Sequence, residues 1–262
     1  MKCTVLGGSG FIGRNLDAYL RREGHHVWNP LRNDTSVFSR SLGTVFYCIG
    51  VTADFRTRPF DTMRSHVCLL ADLLEKADFT TLVYLSSTRV YARNLATFEH
   101  EKLVVDPLDS SDLYNLSKLA GESLCHCYKQ RNVKTVRLSN VIGKDSSSDN
   151  FMSALIRGAL SGHVVLRSAP ESCKDYIWID DVVRLLTHIA LEGKHTMYNV
   201  ASGKNLLHKD IVSRLSSLTG CHVDVLPDAV PQIFPGIAVD RICEEFAFVP
   251  KPVLEHLDCL VR

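Results

Sequence analysis

Three glycines between an apolar segment and an amphipathic segment constrain the fold of this chain more than any other feature. Residues 2–6, KCTVL, predict a short buried strand, and Gly7, Gly10 and Gly13 follow in the spacing GxxGxxG. The segment after them carries apolar side chains at helical spacing until Gly24. Glycine permits a tight turn and lets a pyrophosphate approach the amides at a helix N-terminus, so the pattern predicts a phosphate cradle.

The alternation of strand and helix continues along the first half of the chain. Beyond the first pair, the pattern predicts strands at 25–31, 44–50, 80–87 and 134–140, and helices at about 60–77 and 112–130. This order predicts an α/β fold with a doubly wound parallel sheet and helices on both faces. Pro30 places the second strand at an edge of the sheet or at a strand end. After residue 140 the rhythm loosens into a polar loop at 143–150 and a further strand and helix in DYIWIDDVVRLLTHIALEG.

Composition excludes several classes of partner. The formal net charge is +1, with 30 basic and 29 acidic residues and no sizeable basic run, so neither nucleic acid nor a membrane surface is an expected partner. The nine cysteines show neither CxxC nor zinc spacing, which predicts no metal site and reduced thiols. With no apolar signal region and no segment of membrane-spanning length, we expect a cytoplasmic protein.

A tyrosine and a lysine in DLYNLSKLAGE lie one helical turn apart. The pKa of free tyrosine is about 10, and a nearby ammonium can lower it by roughly 1–3 units. Tyr114 beside Lys118 is therefore a candidate for proton transfer near neutral pH. Ser87 ends a predicted parallel strand, where such sheets bind their ligands, and its hydroxyl could bond the substrate oxygen that Tyr114 protonates.

The end of the second strand indicates which dinucleotide would bind. In VWNPLRND an acid at Leu31 would bond the ribose 2′-hydroxyl of NAD, but no acid is present and Arg32 follows. A guanidinium suits a 2′-phosphate. We therefore predict NADP as the cofactor, with NAD as the alternative.

Taken together, these motifs resemble a known family. The segments GGSGFIG at 7–13, LSSTRVYA at 85–92, YNLSK at 114–118, VRLSNVIG at 136–143 and KDYIWIDDVV at 174–183 are similar to those of extended short-chain dehydrogenases/reductases, the NAD(P)-dependent epimerases and dehydratases of nucleotide sugars. The likeness continues in MYNVASG and VDRICEEFAFVPK, so it covers nearly the whole chain.

The resemblance implies a Rossmann domain at 1–140, its sheet completed by part of 175–200, and a mainly substrate-binding lobe at 141–262. It implies that Lys118 also holds the nicotinamide ribose and that Asn140 faces the sugar nucleotide. We expect the dinucleotide to contact Gly7, Gly10, Phe11, Ile12, Gly13, Arg32, Cys48, Tyr114 and Lys118. We expect the substrate to contact Ser87, Thr88, Asn140 and Lys174, the last standing where the family has a phosphate-binding arginine. Family members often pair two helices across a two-fold axis, so a homodimer is also expected.

Departures from the family pattern narrow the reaction. Sugar 4,6-dehydratases carry an Asp-Glu pair after the catalytic Ser or Thr, whereas Thr88 and Arg89 stand here and cannot act as carboxylate acid or base. Arg89 and Asp145 also replace the Cys and His of enzymes that epimerise two carbons. The expected activity is therefore NADPH-dependent reduction of a keto group on a nucleotide sugar. An NAD-dependent 4-epimerase and a non-catalytic redox sensor are the alternatives. Two other positions depart from the family pattern. The connection between Arg32 and the next predicted strand is shorter than in the family, and His66 stands where the family often has asparagine.

Overall fold

A parallel six-stranded sheet forms the centre of the molecule. The computed structural model describes residues 1–144 and 150–261, and its central sheet has the strand order β2-β1-β3-β4-β5-β9. Its strands are β1 (Lys2–Leu6), β2 (His26–Trp28), β3 (Thr44–Tyr47), β4 (Thr81–Ser87), β5 (Asn132–Leu138) and β9 (Met197–Val200). Every neighbouring pair is parallel, as the alternation of elements predicts. The doubly wound α/β fold is confirmed.

Both faces of this sheet are covered by helices because the strands are apolar on both sides. The helices around the sheet are α1 (Phe11–Arg22), α2 (Pro59–Met63), α3 (Leu69–Lys76), α4 (Leu113–Cys127), α6 (Ile179–Glu192) and α8 (Asp240–Phe246). Along β4, Val83 and Leu85 pack in the core that includes α1, α6 and α8. Leu82 and Tyr84 face the opposite core, formed with α3 and α4. Such two-sided burial is expected of strands within a parallel sheet.

The strand order reverses between β1 and β3, and this position locates the candidate site. The chain leaves β1 toward β2 on one side, whereas β3 continues to β4 on the other. In open α/β sheets, ligands bind beyond the carboxyl ends of the strands at such a switch point. The glycine turn follows β1 directly, and Cys48 follows β3, with its N–H bonded to the Leu6 carbonyl at 2.9 Å.

A smaller lobe contains most of the remaining elements. They are β6 (Asn140–Ile142), α5 (Phe151–Leu160), β7 (His163–Leu166), β8 (Cys173–Trp178), β10 (Asn205–Leu207), α7 (His208–Thr219), β11 (His222–Val225) and α9 (Asp258–Val261). The strands β10-β8-β6 form one small sheet and β11-β7 another, and a separate apolar core joins them to α5 and α7. Of the segment 175–200, therefore, β9 joins the central sheet whereas β8 does not.

Several boundaries differ from those expected. β2 has three residues rather than seven, and it lies at the sheet edge as Pro30 indicated. Between β2 and β3 the chain forms only a short 3-10 turn at Thr35–Phe38. The expected helix at 60–77 is continuous, but α2 and α3 are joined through a π turn at Arg64–Cys68. The helix expected at 112–130 ends at Cys127. Most of the predicted polar loop at 143–150 lies outside the described residues.

Candidate active site

The glycine turn is closely packed on one side and open on the other. Gly7 has φ +83°, and a Cβ on it would lie 2.9 Å from the carbonyl carbon of Cys48. A Cβ on Gly13 would lie 2.2 Å from the Gly7 carbonyl oxygen, so α1 can approach the turn only with glycine there. A Cβ on Gly10 would meet nothing closer than 3.4 Å. Because no acidic residue stands in the first turn of α1, these amides suit an anion.

The two apolar residues that open α1 pack against the central sheet, and one of them also approaches the end of β6. Phe11 and Ile12 are partly buried against the core on the α1 face of the sheet. The Phe11 ring also reaches Gly143, where a Cβ would lie 3.1 Å from its Cζ. Cys48 is packed behind the turn, and burial raises the pKa of its thiol to about 12, against a smaller lowering by Lys118. These positions fit the wall of a dinucleotide site.

Two residues after β2 lie where an adenosine would be expected. Asn29 packs on the glycine turn, since a Cβ on Gly8 would lie 2.8 Å from its side-chain Cγ. Its amide oxygen is buried and has no hydrogen-bond partner within the described part of the chain, so a bound hydroxyl group would satisfy it. Arg32 lies three residues further and is exposed. The glycine cradle and this orphaned oxygen together fit a dinucleotide.

Ser87 and Tyr114 meet at the carboxyl edge of the sheet. Ser87 is the last residue of β4, and Tyr114 lies in the first turn of α4. Burial raises the pKa of Tyr114, whereas a hydrogen bond with Ser87 and the charge of Arg89 lower it. The Ser87 Oγ also accepts the Arg89 N–H at 3.2 Å, so the serine is held at the strand end.

The lysine one turn further along α4 bonds the backbone of β4, whereas the helical spacing predicts that it acts on Tyr114. The Lys118 ammonium donates to the Leu85 carbonyl at 2.8 Å and lies 5.9 Å from the centroid of the Tyr114 ring. Burial lowers the pKa of Lys118 to about 7, with Glu122 and Cys48 opposing that change. The cation that lowers the Tyr114 pKa in this structure is Arg89 rather than Lys118, because Lys118 is turned toward β4.

His66 connects α4 to the loop after β3. Its Nε2 accepts the N–H of Val51 at 3.1 Å, so the ring proton is on Nδ1, which donates to Ser117 Oγ at 2.8 Å. The Ser117 hydroxyl in turn donates to the Tyr114 carbonyl at 2.8 Å. Burial and then the Lys118 charge lower the pKa of His66 to about 3, so the ring is neutral. From the sequence, His66 stands out only because related proteins often have asparagine at its position.

A cavity of about 260 Å³ collects the expected substrate residues. Ser87, Thr88, Tyr114, Asn140 and Lys174 all line it, together with Arg89, Asp175 and a segment around Phe234. The Asn140 amide donates to the Asp175 carbonyl at 2.8 Å, which joins β6 to β8 at the cavity wall. Burial, followed by the charge of Arg89, lowers the pKa of Lys174. Asp145, the other residue weighed for double epimerisation, lies outside the described residues.

A buried polar network supports the end of β4. Glu122 on α4 pairs with Arg137 on β5 at 2.6 Å, and it accepts the Ser86 hydroxyl at 2.5 Å. Arg137 also donates to the Tyr91 hydroxyl at 2.6 Å. Because each of these charged groups is hydrogen-bonded, their burial is tolerated. The network fixes α4 against β4 and β5 directly beneath the cavity.

A second cleft in the surface contains none of the residues predicted for the site. A cleft of about 440 Å³ lies beside the start of β9 and contains none of the glycine-turn or β4-end residues. Its Glu245 accepts the N–H of Lys194 at 2.7 Å and the hydroxyl of Tyr198 at 2.9 Å. Residues 1–144 and 150–261 contain no cluster of three or more His, Cys, Asp or Glu suited to a metal ion. Within the same ranges no helix has the length and apolarity to cross a membrane.

The fold and the site together define a class. A doubly wound sheet with a glycine cradle at its switch point, and with serine, tyrosine and lysine beside it, is that of an NAD(P)-dependent oxidoreductase of the short-chain type. The sequence model of the NAD dependent epimerase/dehydratase family matches residues 3–201. The chain belongs to this family, and the resemblance predicted from its motifs is confirmed.

Two relatives are named for reactions of nucleotide sugars. A GDP-6-deoxy-D-mannose reductase of Pseudomonas aeruginosa is 27% identical over 256 residues, covering 86% of this chain and 82% of that protein. A UDP-2-acetamido-2,6-beta-L-arabino-hexul-4-ose reductase from a second strain of that species is 28% identical over 210 residues. That match covers 74% of this chain and 50% of the relative, so the chain spans about half its length.

Solved structures share the whole fold. MoeE5 in complex with UDP-glucose and NAD superposes with a TM-score of 0.86 at 23% identity, covering 100% of this chain and 97% of that one. The RMD structure from Pseudomonas aeruginosa, complexed with NADPH, gives 0.81 at 21% identity, covering 100% and 98%. At these identities the likeness establishes the architecture, including the smaller lobe.

Proposed function

We propose that this protein is an NADP-dependent oxidoreductase that reduces a keto group of a nucleotide-linked sugar. One observation carries the proposal: Ser87 and Tyr114 converge on a single cavity at the carboxyl edge of the sheet. The family membership and the two reductases among its relatives support the same reaction. The exposed Arg32 beyond β2 supports NADP, whose 2′-phosphate a guanidinium would bind.

Each polar group of the site has a proposed part in this reaction. The glycine turn and the first amides of α1 would hold the pyrophosphate, and Lys118 would hold the nicotinamide ribose. When bound, the dinucleotide supplies the hydride. Ser87 would donate a hydrogen bond to the carbonyl oxygen, and Tyr114 would protonate that oxygen. Thr88, Asn140 and Lys174, which line the same cavity, are proposed to contact the sugar nucleotide.

Dehydration is disfavoured by the side chains next to Ser87. Thr88 and Arg89 line the cavity at the positions where a 4,6-dehydratase needs two carboxyl groups, and neither can serve as a carboxylate acid or base. The acidic residue that does line the cavity, Asp175, accepts the N–H groups of Ser202 and Lys204 at 2.9 and 3.0 Å and is engaged in fixing that loop. Hydride transfer at a carbonyl or carbinol, as in a ketoreductase or a 4-epimerase, is the chemistry that remains.

The test measures absorbance of the dinucleotide in both directions. Purified protein is mixed with NADPH and a panel of nucleotide-linked 4-keto sugars, and separately with NADP⁺ and the corresponding alcohols. Net NADPH consumption with at least one keto sugar, slowed roughly 10²–10⁴-fold in Tyr114→Phe, supports the reductase. Interconversion of two sugars with catalytic NAD and no net consumption would instead establish the 4-epimerase. Dinucleotide binding without either reaction would establish a redox sensor.

Two further properties are part of the proposal. We propose a homodimer, supported by the resemblance to a family in which helices such as α3 and α4 pair across a two-fold axis. Light scattering at micromolar concentration tests it, and a monomer mass would contradict it. We also propose a reducing, cytoplasmic location, supported by nine free cysteines.

A further inference from the structure

The end of β4 places a guanidinium beside Tyr114 to which the proposed reduction assigns no contact with the substrate. Arg89 stands two residues after Ser87, is partly buried and lines the cavity. Its Cζ lies 5.7 Å from the centroid of the Tyr114 ring and 5.1 Å from that of Phe55. These aromatic faces hold the guanidinium at the reacting end of the cavity rather than in open solvent.

Most of the hydrogen-bonding capacity of Arg89 is unused. A guanidinium carries five N–H donors, and its Nη2 donates to the Ser111 carbonyl at 3.3 Å. Within the described part of the chain, no carboxylate oxygen lies within 4.0 Å of its nitrogens. The carboxylates nearby are engaged elsewhere, since Asp109 and Asp112 pair with Arg93 at 2.7 and 3.1 Å. Arg89 is therefore a partly desolvated cation that Asp109 and Asp112 balance only from a distance, which is costly unless a ligand supplies a carboxylate in contact.

The surrounding wall carries one further cation and one carboxylate, and neither forms an ion pair with Arg89. The Lys174 ammonium lines the same cavity and lies 5.3 Å from the centroid of the Phe234 ring. Asp175, the acidic group in the lining, is committed to the 202–204 loop by the two N–H groups given above and by the Ser202 hydroxyl at 2.8 Å. A neutral sugar would leave Arg89 unpaired at the point closest to Tyr114.

Resting on the proposed reduction, we propose that the substrate sugar carries a carboxylate that pairs with Arg89, so that the substrate class is a nucleotide-linked keto-uronic acid. The planar fork of a guanidinium matches a carboxylate with two parallel hydrogen bonds. Because Arg89 lies against the Tyr114 ring, a carboxylate that pairs with Arg89 would belong to the sugar that reacts at Tyr114. The nucleotide diphosphate is expected at Lys174 instead, so the two cations recognise different parts of one substrate.

The test compares matched alcohols, which correspond to products of the reduction. Calorimetry with saturating NADP⁺ measures binding of UDP-glucuronic acid against UDP-glucose, and of GDP-mannuronic acid against GDP-mannose. Within each pair the nucleotide is constant, so the affinity ratio reports the carboxylate alone. For the pair that binds, we expect the acid to bind at least about tenfold more tightly in the wild type. Arg89→Gln should bring that ratio close to one while it leaves the affinity for the neutral sugar nearly unchanged.

Two variants control for a general loss of positive charge. Arg56 is exposed and its guanidinium lies 4.5 Å from the Phe55 ring centroid, outside the cavity lining. Arg56→Gln should keep the wild-type ratio, and Lys174→Gln should weaken both members of a pair equally. The proposal is overturned if the wild type binds acid and neutral sugar alike, if neither pair binds, or if Lys174 rather than Arg89 sets the ratio. Dinucleotide turnover is measured separately, so the reductase activity can hold while this preference fails.

Discussion

Replacing Lys118 by methionine is expected to stabilise the protein at pH 7 although it removes a residue proposed to act in the site. Lys118 is 4% exposed, and burial lowers its pKa from 10.5 to about 7. That difference corresponds to roughly 4–5 kcal/mol against folding at pH 7. Methionine would leave the Leu85 carbonyl without its hydrogen bond, which costs roughly 1–3 kcal/mol. We expect the free energy of unfolding to rise by about 1–4 kcal/mol, at the expense of dinucleotide binding.

The dependence on pH distinguishes this account from a simple packing effect. The folded-state pKa lies below the unfolded-state pKa, so the unfolded chain binds more protons between pH 7 and 10.5. The wild type should therefore gain stability as pH rises through that window, and the advantage of Lys118→Met should shrink.

Urea denaturation followed by circular dichroism at pH 7, 8 and 9 measures both quantities. Lys76→Met, at an exposed lysine of α3 that pairs with Asp72, serves as the control and should leave the pH slope unchanged. A variant that is less stable than the wild type at pH 7, with the same pH slope, would refute the reasoning.

Three further changes test other parts of the site. Tyr114→Phe should lower kcat by roughly 10²–10⁴-fold with unchanged dinucleotide affinity, and a near-normal kcat would contradict its role as proton donor. The wild type should bind NADPH at least about tenfold more tightly than NADH by calorimetry, and Arg32→Ala should remove most of that gap; equal wild-type affinities would make Arg32 a surface charge only. Gly13→Ala should cost roughly 1–3 kcal/mol because its Cβ would lie 2.2 Å from the Gly7 oxygen. Gly236→Ala, with no atom within 4 Å of its Cβ, should leave Tm unchanged, and an equal Tm for both variants would show that the turn can yield.

Features encoded by short-range pattern were predictable from the sequence. The strand, the glycine turn and the amphipathic helix occupy consecutive residues, so periodicity and glycine spacing were enough to place the cradle. Ser87 is predicted from a strand end and Tyr114 from its four-residue spacing to Lys118, and both Ser87 and Tyr114 line the cavity. The family and the fold could be predicted because both depend on this order of local motifs. The family model and the parallel sheet confirm them. The expected reductase activity agrees with the reactions for which both relatives are named.

Features that depend on contacts between distant segments were not predictable in the same way. His66 bonds Ser117, 51 residues away, and no local pattern encodes that pairing. The orientation of Lys118 toward Leu85 follows from how α4 packs on β4, and this orientation transfers the influence on Tyr114 to Arg89. The unpaired amide oxygen of Asn29 likewise becomes visible only when the strand end meets the glycine turn.

The π turn between α2 and α3 allows one continuous helix to direct side chains both toward α4 and toward the central sheet. The buried side chains Thr62, His66 and Leu70 stand four residues apart, and in a regular α-helix each such step overshoots a full turn by about 40°. The wider turn at Arg64–Cys68 takes up the overshoot, so His66 faces α4 while Leu70 and Leu73 remain against the sheet. Such a turn is the structural equivalent of a one-residue insertion. Deleting one residue from it would turn the segment into a regular α-helix and remove the extra residue that lets His66 face α4, so in this helix sequence length constrains the site as strictly as residue identity does.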